Sequence, residues 1–207
     1  KYLPESKAVL SGSPIRQKLY EGSREKGLKF AGLSGEKPVI LVVGGSTGAQ
    51  HVNDAIVDLL PTLVRDYDII HLCGKGKTNE DVKDVQGYCQ FEYVREEMPD
   101  VFAAADIIIS RAGANAICEI LALKKPHILI PLPAGASRGD QILNADSFEK
   151  QGFSYVLHEE NLTNEELLKA ISYVRENSAK YVEAMNKSEA GNAIETIIGL
   201  IEKCAKR

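Results

Sequence analysis

The four cysteines of this 207-residue chain, Cys73, Cys89, Cys118 and Cys204, include no C-x-x-C pair, and Cys73 and Cys89 lie in or beside apolar strand-like runs. This favours reduced, mostly buried thiols in a cytosolic protein over a metal or disulfide role. His51, His71, His127 and His158 have no metal-ligand spacing, and His71, inside the run DIIHLC, reads as a hydrogen-bonded core residue. No apolar stretch is long enough to span a bilayer, and no signal peptide is present. An excess of positive charge is missing too: the net charge of −4 argues against nucleic acid as a partner. Linkers, repeats and low-complexity segments are absent, so a single domain over 1–207 is expected. The chain opens on KYLPESKAVLSG without a methionine and reads as a piece cut from something longer.

With 44% apolar residues, there is ample material for a core. After a strand-like run at 8–11, strands are predicted near 38–43, 68–73, 89–94, 106–110, 127–131 and 154–158. Helical stretches fall between them near 14–28, 48–65, 78–85, 97–104, 113–124 and 140–151. Such alternation predicts an α/β fold, a Rossmann-like parallel sheet with helices on both faces. Residues 163–206 are all helical in pattern, starting with a capping box at Thr163 and Glu166 and ending in an apolar stripe of Ile194, Ile197, Ile198 and Ile201. In such a sheet ligands bind outside the carboxyl ends of the strands, where the strand order reverses.

The segment PVILVVGGSTG at 38–48 carries the strongest chemical signal. Its β-branched run reads as a strand buried on both faces. Gly44 and Gly45 let a ligand approach the main chain, Ser46 and Thr47 add hydroxyl donors, and the following helix points free N–H groups into the same space. Phosphate suits such a turn. The glycines at 44, 45 and 48 do not fit the dinucleotide fingerprint, and the Lys-Ser/Thr of a P-loop is missing. Gly76-Lys77-Thr78 resembles a P-loop end, but His71 stands where its first glycine belongs. A short-chain dehydrogenase would need a tyrosine followed four residues later by lysine, and the chain has none.

Three further loops carry chemistry beside an ordinary structural alternative. In GSPIR, Pro14 suits a first helical turn that presents Arg16 either to phosphate or to solvent. SRAGANAICE opens a helix from small residues; its Glu119, on the side away from Ile117, is either a solvated surface charge or a carboxylate for a ribose diol. PLPAGASRGDQ ends on Asp140, an N-cap candidate, and Gln141; together they also suit the vicinal hydroxyls of a sugar. Asp66-Tyr67-Asp68 has the form of a metal-holding D-x-D, but it precedes a strand, at the edge opposite the binding crevice, and reads as a turn.

Taken together, GSPIR at 12–16, GGSTGA at 44–49, SRAGANAICE at 110–119 and GDQILNA at 139–145 resemble the C-terminal half of the MurG family. These are the transferases that move N-acetylglucosamine from UDP to the lipid-linked muramyl-pentapeptide of peptidoglycan synthesis. The resemblance implies a B-type two-domain glycosyltransferase in which this half is the nucleotide-sugar donor-binding domain. The other half would hold the acceptor and the membrane. It also implies that Arg16, Ser46 and the turn amides, Gly45 among them, meet the donor phosphates. Glu119 would meet the ribose, with Ala114, Asn115, Ala116, Ile117 and Cys118 along the wall between ribose and sugar. Gln141 would contact GlcNAc and the backbone of Val94 uracil, while Asp140 stands where the family often has His or Arg, which leaves its role open.

The implied reaction is an inverting displacement that needs no metal or other cofactor. Its base belongs to a Gly-His loop of the missing half, so this half alone is expected to be inactive, and its localisation cytoplasmic. The whole protein would lie peripherally on the cytoplasmic face of the membrane. A UDP-sugar epimerase or another B-type transferase, a Rossmann oxidoreductase and a non-catalytic binding domain are the competing readings.

Overall fold

The computed structural model describes residues 8–9, 11–45, 49–136, 139–188 and 193–205. Six parallel strands, β1 (Val39–Val43), β2 (Asp68–Leu72), β3 (Tyr88–Phe91), β4 (Ile107–Ser110), β5 (His127–Leu129) and β6 (Tyr155–Val156), form one sheet in the order β3-β2-β1-β4-β5-β6. The order reverses between β1 and β4, which pair in register from Ile40 opposite Ile107 to Val43 opposite Ser110. The strand expected at 8–11 is not formed at residues 8, 9 or 11; Val9 is exposed, and Leu10 lies outside the described residues.

Period-two side-chain alternation divides each central strand between two apolar layers. Val39 and Leu41 of β1, with Ile70 and Ile108, pack against Val101, Phe102 and Ala104 of α3 (Met98–Ala104) and Ala31 of α1 (Arg24–Ala31). Ile40 and Val42, with Ile69 and Ile109, face the other way. They meet Val52, Ile56 and Leu60 of α2 (Gln50–Asp66) and Leu167, Ile171 and Val174 of α6 (Asn164–Glu176). Since both faces are covered, the strands need no polar alternation, which is why their sequences are nearly continuous Ile, Val and Leu.

The remaining helices are α4 (Ala114–Ala122), α5 (Asp140–Lys150), α7 (Ser178–Asn186) and α8 (Ala193–Ala205). Two expected helices are shorter than their sequence pattern. At 14–28 a 3-10 turn over Gln17–Glu21 precedes α1, because Ser23 accepts a hydrogen bond from the Lys26 N–H and so starts the helix later. At 78–85 only the 3-10 turn Glu80–Val82 forms, with Asn79 Oδ1 accepting from the Asp81 N–H. Thr163 caps α6 through its hydroxyl as expected, while the Glu166 side chain pairs forward with Lys169 instead of reaching back. Ile194, Ile198 and Ile201 of α8 are exposed.

Two histidines inside the core are satisfied by directional chains. His127 Nδ1 faces the Lys125 carbonyl and must donate, so Nε2 accepts from the Ser154 hydroxyl. His71 Nδ1 meets the Tyr88 hydroxyl at 3.0 Å and its Nε2 meets Asn53 Oδ1 at 3.0 Å. Burial depresses both imidazoles to about 4, below their ordinary value of 6.5. The unfolded chain therefore binds protons that the folded chain refuses as pH falls from about 6.5 towards 4, and stability is lost over that window. Urea melts should show the unfolding free energy falling between pH 7 and pH 5, with the His71 and His127 ring signals in NMR still untitrated at pH 5. A flat profile with either ring titrating near 6.5 would contradict the buried neutral pair.

Candidate functional site

The strand reversal puts the carboxyl ends of β1 and β4 side by side with their connections departing in opposite directions, which opens a crevice between them. Pairing continues to the lip, where the Arg111 N–H donates to the Val43 carbonyl. Gly44 and Gly45 leave β1 there, and Gly45 has φ +83°, a left-handed angle that a side chain resists. A Cβ built on Gly45, Gly113 or Gly139 would meet nothing within 4 Å, so all three border open space. Ser46, with the rest of 46–48, lies outside the described residues.

Helices α2, α4 and α5 begin on this side of the sheet, and the N-caps Ala49, Gly113 and Gly139 contribute no side-chain cap bond. By comparison, α1 and α6 are capped by Ser23 and Thr163, while α3 and α7 have no side-chain cap at Glu97 and Asn177. The crevice thus collects helix ends whose N–H groups and positive dipole ends can meet an anion.

Arg16 and Glu119 come from distant parts of the chain and meet there. Ile15 and Leu19 are buried and anchor the segment, and Arg16 Nη2 donates to Glu119 Oε1 at 3.0 Å. Arg16 is not inside a helix as Pro14 predicted; it flanks the 3-10 turn in extended conformation. Glu119 is not a solvated surface charge, since its side chain is only 20% exposed while that of Arg16 is 67% exposed. Along α4, Ala114 and Asn115 are exposed, and Ala116 and Cys118 half-buried. Ile117 departs from the expected wall: it is 3% exposed and points into the core, leaving only its backbone to the crevice side. Val94 lies in the loop beyond β3, half-buried against the α1–α3 layer, and neither its N–H nor its carbonyl is hydrogen-bonded among the described residues.

Asp140 is not an N-cap. Gly139, at φ +80°, occupies that position and Asp140 is the first helical residue, exposed to solvent. Gln141 has a structural bond: its Oε1 accepts from the Leu132 N–H at 3.1 Å, which fixes the loop to α5. Because the partner is a donor, the amide orientation follows, and the Gln141 NH2 faces away from that bond.

Sequence reasoning missed three supports of this rim. The buried Arg111 donates to the Ile130 and Pro131 carbonyls and pairs with Glu159, which also lies 3.4 Å from His51 on the first turn of α2. Asn144 donates to the Ala112 carbonyl. Asn53, 4% exposed, takes a core position of α2, and its signal in the sequence was its spacing with Ile56 and Leu60 on one helix face. Asp66 and Asp68 sit at the opposite edge of the sheet, with Asp68 buried beside Lys37, in keeping with a turn. A groove between the ends of α2 and α6, lined by Thr62, Tyr67, Leu168 and Arg175, also lies at that opposite edge.

Residues 39–200 match the glycosyltransferase family 28 C-terminal domain. The chain belongs to this family. A relative from Lachnoclostridium phytofermentans is 58% identical over 202 residues, covering 98% of this chain and 57% of the relative. One from Lachnospira eligens is 54% identical over 206 residues, covering 100% of this chain and 58% of the relative. Both are named UDP-N-acetylglucosamine–N-acetylmuramyl-(pentapeptide) pyrophosphoryl-undecaprenol N-acetylglucosamine transferase. The crystal structure of MurG from Acinetobacter baumannii superimposes with a TM-score of 0.71 at 24% identity over 97% of this chain and 58% of that one. The fold is that of the C-terminal half of a B-type glycosyltransferase, and the chain spans little more than half the length of these relatives. Among the described residues no helix is long and apolar enough to cross a membrane, and no group of three or more His, Cys, Asp or Glu is placed to hold a metal ion.

The loop bond of Gln141 and the uncapped position of Asp140 separate these neighbours. Gln141→Ala should cost about 1 kcal/mol of stability through the lost Leu132 bond. Asp140→Ala should cost less than about 0.5 kcal/mol, a helix-dipole effect only. Chemical denaturation checks both, and a larger loss for Asp140 would contradict the capping geometry.

Proposed function

We propose that this chain is the nucleotide-sugar donor-binding domain of a transferase that moves N-acetylglucosamine from UDP to a lipid-linked muramyl-pentapeptide acceptor. The observation that carries the reading is the 58% identity over 98% of the chain with a relative of that name. Physical support comes from the crevice. Helix ends, a glycine turn and Arg16 offer donors for a diphosphate, Glu119 offers a carboxylate for the ribose hydroxyls, and Val94 offers an N–H and a carbonyl, unpaired among the described residues, for the uracil edge. Arg16 engages Glu119 through Nη2 alone, and a guanidinium has further donors for phosphate oxygens. Gln141, its oxygen on Leu132, would use its NH2 to donate to sugar hydroxyls.

In the reaction, an acceptor hydroxyl attacks the anomeric carbon from the face opposite the diphosphate. The carbon–oxygen bond to UDP breaks, and configuration inverts. Negative charge grows on the departing β-phosphate, and the turn amides, Ser46 and Arg16 would stabilise it without rearranging. The proton of the acceptor hydroxyl would pass to a base on the other half of the protein, so this chain alone is expected to bind donor weakly and transfer nothing. The acceptor is lipid-linked, so the complete protein would work at the cytoplasmic membrane surface, in cell-wall synthesis.

Calorimetric titration should find UDP and UDP-GlcNAc bound, and NAD bound more weakly than either. Ser46→Ala and Glu119→Ala should each weaken UDP by about 1 kcal/mol with the fold intact. Gln141→Ala should leave UDP unchanged while UDP-GlcNAc loses about 1 kcal/mol. EDTA should have no effect. NAD bound more tightly than UDP would overturn the reading, and equal losses of UDP and UDP-GlcNAc in Gln141→Ala would leave that residue as a loop support.

A further inference from the structure

Two consecutive carbonyls at the end of β2 bond the chain on either side of residues 46–48. On the entry side the Gly44 N–H donates to Leu72 O at 3.4 Å. On the exit side, on the first turn of α2, Asn53 Nδ2 donates to Cys73 O at 2.9 Å, and the Asn53 N–H closes that turn on Ala49 O at 2.8 Å. The entry bond belongs to the sheet. The exit bond depends on one side chain.

That side chain is oriented by a chain whose direction is forced. Cys73 O can only accept, so the Asn53 amide must turn its NH2 to it and its Oδ1 to His71. His71 Nε2 must then carry the proton, and Nδ1 accepts from the Tyr88 hydroxyl. His71 is fully buried, and Tyr88 and Asn53 are about 5% and 4% exposed. Isoleucine or leucine could fill this space in the surrounding layer, whereas a buried polar chain is tolerable only when each member is bonded. Here each is bonded, and the end of the chain fixes the start of α2 against β2.

We infer that Asn53, oriented by His71 and Tyr88, is a positioning residue for the donor diphosphate, holding the first N–H groups of α2 where phosphate meets them. The inference rests on the donor-binding reading above. None of the three side chains touches ligand; they act through the placement of α2, so they should influence the phosphates and not the nucleoside, whose contacts come from α4 and the loop after β3.

Ligand-observed NMR titrations of the 207-residue chain with UDP and with uridine test this, with thermal melts alongside. Wild type should prefer UDP. In Asn53→Ala the UDP affinity should fall about tenfold, and in Tyr88→Phe about threefold, with uridine affinity unchanged in both. A drop in melting temperature with the UDP-to-uridine ratio kept at the wild-type value would mean that the chain is core packing alone, and would overturn the inference. Should Asn53→Ala not fold, Tyr88→Phe, which keeps the ring, decides by the same ratio. A wild-type chain with no preference for UDP over uridine removes the donor-binding reading itself, and the inference with it.

Discussion

The reversal of strand order between β1 and β4 is the constraint on which the site depends. Each parallel strand must be followed by a crossover, and each crossover helix begins on the carboxyl side of the sheet. Where neighbouring crossovers leave in opposite directions, no chain covers the gap. Among the described residues, the N-caps of the helices starting there, Ala49 of α2, Gly113 of α4 and Gly139 of α5, contribute no side-chain cap. Orphan N–H groups in such positions are satisfied by water or by a ligand, and an anionic ligand gains most from them. Apolar burial on both faces of the sheet keeps this arrangement rigid, because the layers around Leu41 and Ile40 bind α3 on one side and α2 with α6 on the other.

Charge is distributed in two tiers around the crevice. The buried Arg111, paired with the half-buried Glu159, braces the ends of β4 and β5. Arg16 and Glu119 form a pair exposed at its Arg16 end, which there is worth at most about 1 kcal/mol. A diphosphate and a ribose diol can therefore compete for Arg16 and Glu119 without disturbing the frame.

Much of the fold was legible because its periodicities are strong. The runs VILVV and DIIHL can only be strands buried on both sides, and the α2 stripe of Val52, Ile56, Leu59 and Leu63 fixes its inward face. The strand at 8–11 failed because a short apolar run carries no information about whether a partner strand is available. Asp140 was misplaced because an acid beside a glycine looks like a cap until the φ of Gly139 is known. Glu119 could not be assigned from helical spacing, since Arg16 approaches from 103 residues away. The His71 chain was half visible: a polar residue in an apolar strand announces a partner, but only the register of α2 over β2 identifies it as Asn53.

The most direct test of the central claim is a crystal structure of this chain soaked with UDP. The account predicts uracil against the Val94 backbone, ribose hydroxyls on Glu119, and the diphosphate at Gly45 and the start of α2, with Arg16 turned from Glu119 to a phosphate oxygen. UDP found elsewhere, in particular in the groove between α2 and α6 with the Arg16–Glu119 pair intact, would contradict it.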